Sequence, residues 1–202
     1  MKNHMHIQGM LRRKSQIKWT LLLAIFLISG IKTVAQSVHT ITADQEFKVS
    51  GTSTIHDWEM VSGKASGEAK IDIKGQKIES VKSLTITLPT KSLKSGKSGM
   101  DDNAYEALNA KQYPQIHFEL TKVETITDQM IKAEGKITIS GTTQVVSLQV
   151  DYKVSGGTLL FSGGFPITFT KFNIDPPKAL FGTIKTGDEL QISFKTTFKS
   201  IN

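Results

Sequence analysis

Gly135-Lys136-Ile137-Thr138-Ile139-Ser140-Gly141-Thr142-Thr143-Gln144-Val145-Val146-Ser147-Leu148-Gln149-Val150 is the stretch that decides the fold. Ile137 and Ile139 alternate with polar residues on one side of Ser140-Gly141, and Leu148 and Val150 do so on the other. A period of two is that of a strand with one buried face, whereas a helix needs 3.6. Ser140-Gly141 is a turn signal between the two runs, so residues 136–154 read as a β-hairpin.

The same period recurs outward from this hairpin. Leu84-Thr85-Ile86-Thr87-Leu88, Ile116-His117-Phe118-Glu119-Leu120, Phe165-Pro166-Ile167-Thr168-Phe169 and Ile192-Ser193-Phe194 all alternate. Thr, Val, Ile and Phe dominate, as a half-buried pleated surface prefers. Turn signals at Gly63, Gly67, Lys74-Gly75, Gly135, Gly156-Gly157 and Gly187-Asp188 separate the runs. This spacing predicts seven to nine antiparallel strands in an all-β domain. A sandwich and a closed barrel both manage the edges of such a sheet. Long runs at 38–50, 115–126, 136–154 and 188–199 favour a barrel, because long strands can tilt around a ligand-enclosing tube.

One segment breaks the pattern. Asp101-Asp102-Asn103-Ala104-Tyr105-Glu106-Ala107-Leu108-Asn109-Ala110 is rich in helix formers, and Pro114 stops anything beyond. A short helix is expected over 101–110, with Asp101 or Asp102 capping its N-terminus and Tyr105 and Leu108 facing the barrel. The preceding loop, 91–99, reads as mobile from its Gly, Ser and Lys content.

The chain has 202 residues and a formal charge of +7, but that excess sits at one end. Residues 1–35 hold Lys2, Arg12, Arg13, Lys14, Lys18 and Lys32 and no acid; removing those six from 25 bases leaves 19 against 18 acids. The body is close to neutral, which argues against a nucleic-acid partner. The basic segment runs into a ten-residue apolar stretch, Trp19–Ile28, followed by small residues up to Ala35. This is the layout of a signal peptide cleaved near Ala35, too short to span a membrane. Residues 36–202 are then one domain, without a membrane span, in the periplasm or secreted from a bacterium. With no cysteine, disulfides and thiolate metal sites are excluded.

Catalytic constellations are sparse. His39, His56 and His117 lie on separate elements with no metal-ligand spacing, so no metal is expected. His117, between Ile116 and Phe118, falls on the outer face by alternation. Ser95-Gly96-Lys97-Ser98 resembles the end of a phosphate loop, but Lys91 stands where that loop needs glycine. Thr54-Ile55-His56-Asp57-Trp58 is the most unusual local string. On a strand, His56 and Trp58 would share one face; turned inward they would meet a ligand head group, or Trp58 would pack in the core with His56 ordering the strand end. His56 with Asp57 has no spaced partner base, so the protein is read as not an enzyme.

Four strings, in order, carry a resemblance to the YceI family of lipid- or polyisoprenoid-binding barrel proteins: Thr54–Trp58; Met100–Phe118 with Tyr113-Pro114-Gln115-Ile116-His117-Phe118; Gly135–Thr143 with Val145 and Val146; and Phe181-Gly182 followed by Gly187–Leu190. Together they span about 38–199. Met100 precedes Asp101 where family members commonly carry arginine, and 173–178 is a proline-bearing loop. The resemblance implies a lipocalin-like antiparallel β-barrel of about eight strands, holding an isoprenoid or similar amphiphilic lipid. Leu84, Ile86, Phe118, Leu120, Ile137, Ile139, Leu148, Phe165, Ile167 and Phe169 would line its interior, with His56 and Trp58 at the head group. Each buried CH₂ of a prenyl chain would contribute about 0.8 kcal/mol. The function implied is sequestration or transport without catalysis and without a cofactor. The alternative is a structural or stress-related exported module whose interior is packed. Strands left at a barrel seam would offer an edge for a homodimer.

Overall fold

The computed structural model describes residues 37–201; the segment read as a signal peptide lies outside the described residues. Ten strands follow: β1 (Ser37–Ser53), β2 (Trp58–Ser62), β3 (Ser66–Lys74), β4 (Lys77–Pro89), β5 (Gln115–Ile126), β6 (Met130–Ile139), β7 (Thr142–Ser155), β8 (Thr158–Thr168), β9 (Lys178–Ala179) and β10 (Ile184–Ser200). One helix, α1 (Ser98–Ala107), stands between β4 and β5.

Eight strands close a barrel in the order β1-β3-β4-β5-β6-β7-β8-β10, and β1 pairs with β10 to complete the ring. The β1–β10 pairing leaves no unpaired seam between the first and last barrel strands. β1 serves two neighbours on its other edge. Ser37–Thr40 pair with β3, and Phe47–Gly51 pair with β2. β2 is bridged in turn by Val61, which exchanges backbone hydrogen bonds with Lys94 at 2.8 and 2.9 Å. The loop ahead of α1 therefore completes the wall at that end.

The deciding hairpin forms as read. Along β6, Ile131, Ala133, Ile137 and Ile139 are buried, while Lys132 and Lys136 are exposed. Ser140 and Gly141 both take positive φ, 48° and 78°, as a two-residue hairpin turn with the native twist requires. Not every glycine marks a turn. Gly67, Gly135 and Gly187 lie inside strands. Gly135 makes room for a neighbour: a Cβ there would overlap the Phe118 ring. Pro166 is tolerated in β8 because β7 pairs with β8 only up to Gly164, which leaves that edge free of ladder bonds.

One end of the barrel is sealed. Ala69, Ile78, Leu159 and Phe198 are buried there, with Phe161 edge-on to Phe198 at 5.8 Å. β4 and β5 pair only near the opposite end. Tyr152 fills the resulting gap, donating its hydroxyl to Thr127 O at 2.8 Å and accepting from Ile78 N at 3.4 Å. His39 is buried at the same end, across from Ala69, with Nδ1 3.1 Å from Ser37 O.

Candidate functional site: an apolar cavity open at one end

Above this floor the barrel is hollow. A cavity of about 780 Å³ runs from Ile71, Ala133 and Phe198 to the opposite end. Leu84, Ile86, Phe118, Leu120, Val150, Ile192 and Phe194 point inward yet are only partly buried, because their free surface faces this space. Ile137, Ile139, Leu148, Phe165, Ile167, Phe169 and Leu190 form the wall nearer the opening. Thr196 is the main polar group deep in the lining; its neighbour Thr197 donates to Asp44 Oδ2 at 3.0 Å. Ser53, His56, Lys97, Asn103, Lys178 and Thr186 border the cavity at or near the mouth. The site is thus apolar in its depth and mixed at its mouth, where these polar groups stand beside Ile55, Leu180 and Phe181.

Three segments build the mouth. The first is the turn between β1 and β2. His56 does not lie on a strand: residues 54–57 form a turn in which Ser53 Oγ donates to His56 O at 2.7 Å. His56 is exposed, with Nδ1 2.8 Å from Asp57 O. Trp58 begins β2, and its Nε1 donates to Thr52 O at 3.0 Å. The shared strand face expected for His56 and Trp58 is absent, because the chain reverses between them. Both still border the cavity, His56 at the rim and Trp58 on the wall over Gly51, where any Cβ would clash with the indole.

The second segment is α1 with its loop. The helix begins at Ser98, three residues before the expected start, and Lys97 precedes it without a side-chain cap. Asp101 is not a cap either. It is buried and turned back on the loop, accepting from Ser95 N at 2.8 Å and Ser95 Oγ at 2.7 Å, with Lys94 Nζ at 3.3 Å. Burial pushes the Asp101 carboxyl up, but the Ser95 backbone and hydroxyl donors and Lys94 more than offset it and hold the group below its ordinary value of 3.8. Tyr105 faces the loop rather than the barrel, donating to Leu93 O at 2.6 Å. Lys94 lies 5.0 Å from the Tyr105 ring centroid, and its pKa is raised by the Tyr105 hydroxyl first and then by Asp101. The loop read as mobile is therefore anchored. Ala104, Ala107 and Leu108 carry the helix's cavity face.

The third segment joins β8 to β10. Phe169 leaves the strand and opens a 3-10 turn, Thr170–Phe172, which plugs the splay between β7 and β8 with buried Phe172 and Ile174. Asp188 accepts from Thr170 Oγ1 at 2.7 Å and Thr170 N at 2.9 Å, bonds that hold its carboxyl below the usual value. Beyond this turn, β9 pairs with the start of β10 beside the mouth.

All twelve residues singled out from the sequence border this one cavity. The reading missed α1's contribution from Ala104 and Ala107, and missed the floor made by Tyr152 and His39. Alternation of Leu148, Val150, Tyr152 and Val154 was a usable signal for Tyr152. His117 is on the outer side, as expected, 3.1 Å from Thr87 Oγ1 on the paired strand. Among the described residues no group of three His, Cys, Asp or Glu is placed to hold a metal, and no helix is long and apolar enough to cross a membrane.

A closed eight-stranded antiparallel barrel with a sealed floor and an open apolar interior belongs to the lipocalin-like class of folds. Within that class, the YceI-like domain family matches residues 33–198, and the chain belongs to that family. Solved structures agree on the fold. The chain is similar to BcnA of Burkholderia cenocepacia (23% identity, 78% of this chain, 98% of that chain, TM-score 0.65). It is also similar to a polyisoprenoid-binding domain from Saccharophagus degradans implicated in plant cell wall breakdown (8% identity, 82% of this chain, 99% of that chain, TM-score 0.64). The YceI protein of Campylobacter jejuni aligns over 69% of this chain and 85% of its own (18% identity, TM-score 0.55). No curated protein matches the chain in sequence.

Proposed function

We propose that the protein is an exported carrier that holds an isoprenoid or similar amphiphilic lipid inside its barrel, tail toward the floor and head group at the mouth, without catalysing a reaction. The observation that carries this reading is the cavity of about 780 Å³, apolar in its depth and bordered by polar groups at its opening. That volume lies within the roughly 300–1,000 Å³ of ligand sites and is far above ordinary packing voids. An apolar cavity of roughly 150 Å³ accommodates one benzene ring. By that ratio the barrel holds on the order of thirty carbons, the size of a chain of about six isoprene units. The polyisoprenoid-binding neighbour from Saccharophagus degradans supports the ligand class. The basic, apolar and small-residue succession of residues 1–35 supports export to the periplasm or beyond. A packed structural module is disfavoured by the same cavity, because unfilled apolar volume lowers stability.

The test is native mass spectrometry of the purified barrel, followed by organic extraction. A stoichiometric hydrophobic adduct is expected in the wild-type protein, and its loss in folded Phe118→Lys and Phe169→Lys variants. A protein that purifies empty and takes up no added prenyl alcohol would return the interior to a structural role.

A further inference from the structure

The apolar surface does not stop at the cavity. Ile55 is 61% exposed, Leu180 67%, and Phe181 presents its whole side chain to solvent. Single exposed apolar residues need no explanation, but these three stand together on one rim. Thr54 N donates to Lys185 O at 3.0 Å and Lys185 N to Thr54 Oγ1 at 3.2 Å, tying the Ile55 turn to β10. Lys185 pairs across the sheet with Lys178 of β9, two residues before Leu180. The backbone holds this display against its own preference: Leu180, Phe181 and Gly182 take φ of 49°, 55° and 87° in succession. Left-handed conformations are unfavourable for Leu and Phe, and here neither side chain is buried in return.

We propose that this rim docks on the surface of an anionic lipid bilayer, so that an amphiphile passes between bilayer and cavity without crossing water. The proposal rests on the lipid-carrier reading above. Three observations select the partner. The apolar rim is continuous with the mouth of the cavity, so insertion would join the hydrocarbon of the bilayer to that of the barrel. A bulky aromatic and two aliphatic side chains suit the headgroup boundary, where an apolar face is buried shallowly. Lys97, Lys178 and Lys185 flank the mouth and have no carboxylate partner among the described residues. Such lysines favour an anionic surface. Asp57 and Asp175 lie in the same loops, so the apolar rim carries most of the attraction and the lysines select the surface.

Every pairing that closes the barrel lies within 37–201, so a chain starting at Gln36 contains the whole folding unit. Its flotation with phosphatidylcholine vesicles, with and without phosphatidylglycerol, tests the proposal. Wild-type protein is expected to float with the anionic vesicles and, at ~1 M salt, to lose its preference for anionic over neutral vesicles while the apolar share of binding persists. The emission of a Phe181→Trp variant is expected to shift to the blue on binding. Leu180→Ser/Phe181→Ser is expected to lower the partition coefficient about tenfold or more while keeping a cooperative thermal transition. If that pair does not fold, Phe181→Ala is read instead. Equal flotation of wild-type and substituted proteins would overturn the proposal. So would a rim that instead self-associates, seen as a vesicle-free dimer lost in the variant. Wild-type protein that takes up an apolar fluorophore but floats with neither vesicle would overturn docking and leave the carrier reading standing. Protein that does neither would overturn both.

Discussion

Replacing Ile86 with tryptophan separates a hollow barrel from a packed one in a single variant. Ile86 projects from β4 between Gly67 of β3 and Phe118 of β5, and its side chain borders the cavity while remaining only partly buried. Ile86→Trp adds about six non-hydrogen atoms, which would displace a similar number of ligand carbons at ~0.8 kcal/mol each, a ceiling of about 5 kcal/mol. A flexible chain can slide toward the mouth and recover part of this, so the expected loss is about 2–3 kcal/mol, or roughly 30- to 150-fold in Kd. The ligand-free protein should respond in the opposite direction. Filling an empty apolar space stabilises by about 0.5–2 kcal/mol, whereas forcing the same ring into a packed core costs about 1–3 kcal/mol. The assay pairs calorimetric unfolding of the delipidated protein with displacement of an apolar fluorophore by prenyl alcohols of increasing length. Tm should rise by a few degrees while the longest tolerated alcohol shortens by about one isoprene unit. A lower Tm together with an unchanged length limit would refute the reasoning, because the interior would then already be full.

Three further outcomes follow from the walls and the mouth. Asp101 has a folded-state pKa below its ordinary 3.8, so its contribution to stability is fully present above that value and is lost as pH falls through the lowered one; acid unfolding followed by circular dichroism should show this component, and Asp101→Asn should remove it. Gly141→Ala should cost about 1–2 kcal/mol in denaturant unfolding, since φ is 78° there and a Cβ would also press on the Tyr113 ring. Tyr152→Phe should cost about 1–2 kcal/mol, because Thr127 O and Ile78 N lose their partner at the floor, and amide exchange should quicken at Ile78.

Much of this was legible in the chain, and what was not has physical causes. Period-two alternation placed Leu84, Ile86, Phe118, Ile137, Leu148 and Phe165 on one face, and the structure puts them all around one cavity. Alternation is local, so it could not say whether that face encloses space. The interior width follows from strand number and stagger, fixed by pairings such as Phe47 with Phe194 that lie far apart in sequence. The turn at 54–57 was misread as strand because Ile55 and Trp58 carry β propensity, while the Ser53 hydroxyl closes the reversal by bonding both His56 O and His56 N. Asp101 resembled a helix cap by composition alone, but its partners, Ser95 and Lys94, are a matter of loop folding. The exposed Leu180-Phe181 pair was invisible to pattern, since two apolar residues in a loop look like core until the backbone turns them outward.

The most direct measurement of the central claim is a crystal structure of the protein loaded with a prenyl compound of about thirty carbons. The account predicts continuous density along the barrel axis between Phe118, Ile137 and Phe165, with the head group near His56, Lys97 and Lys178. An interior closed by collapsed side chains, or a ligand bound only on the outer surface, would contradict it.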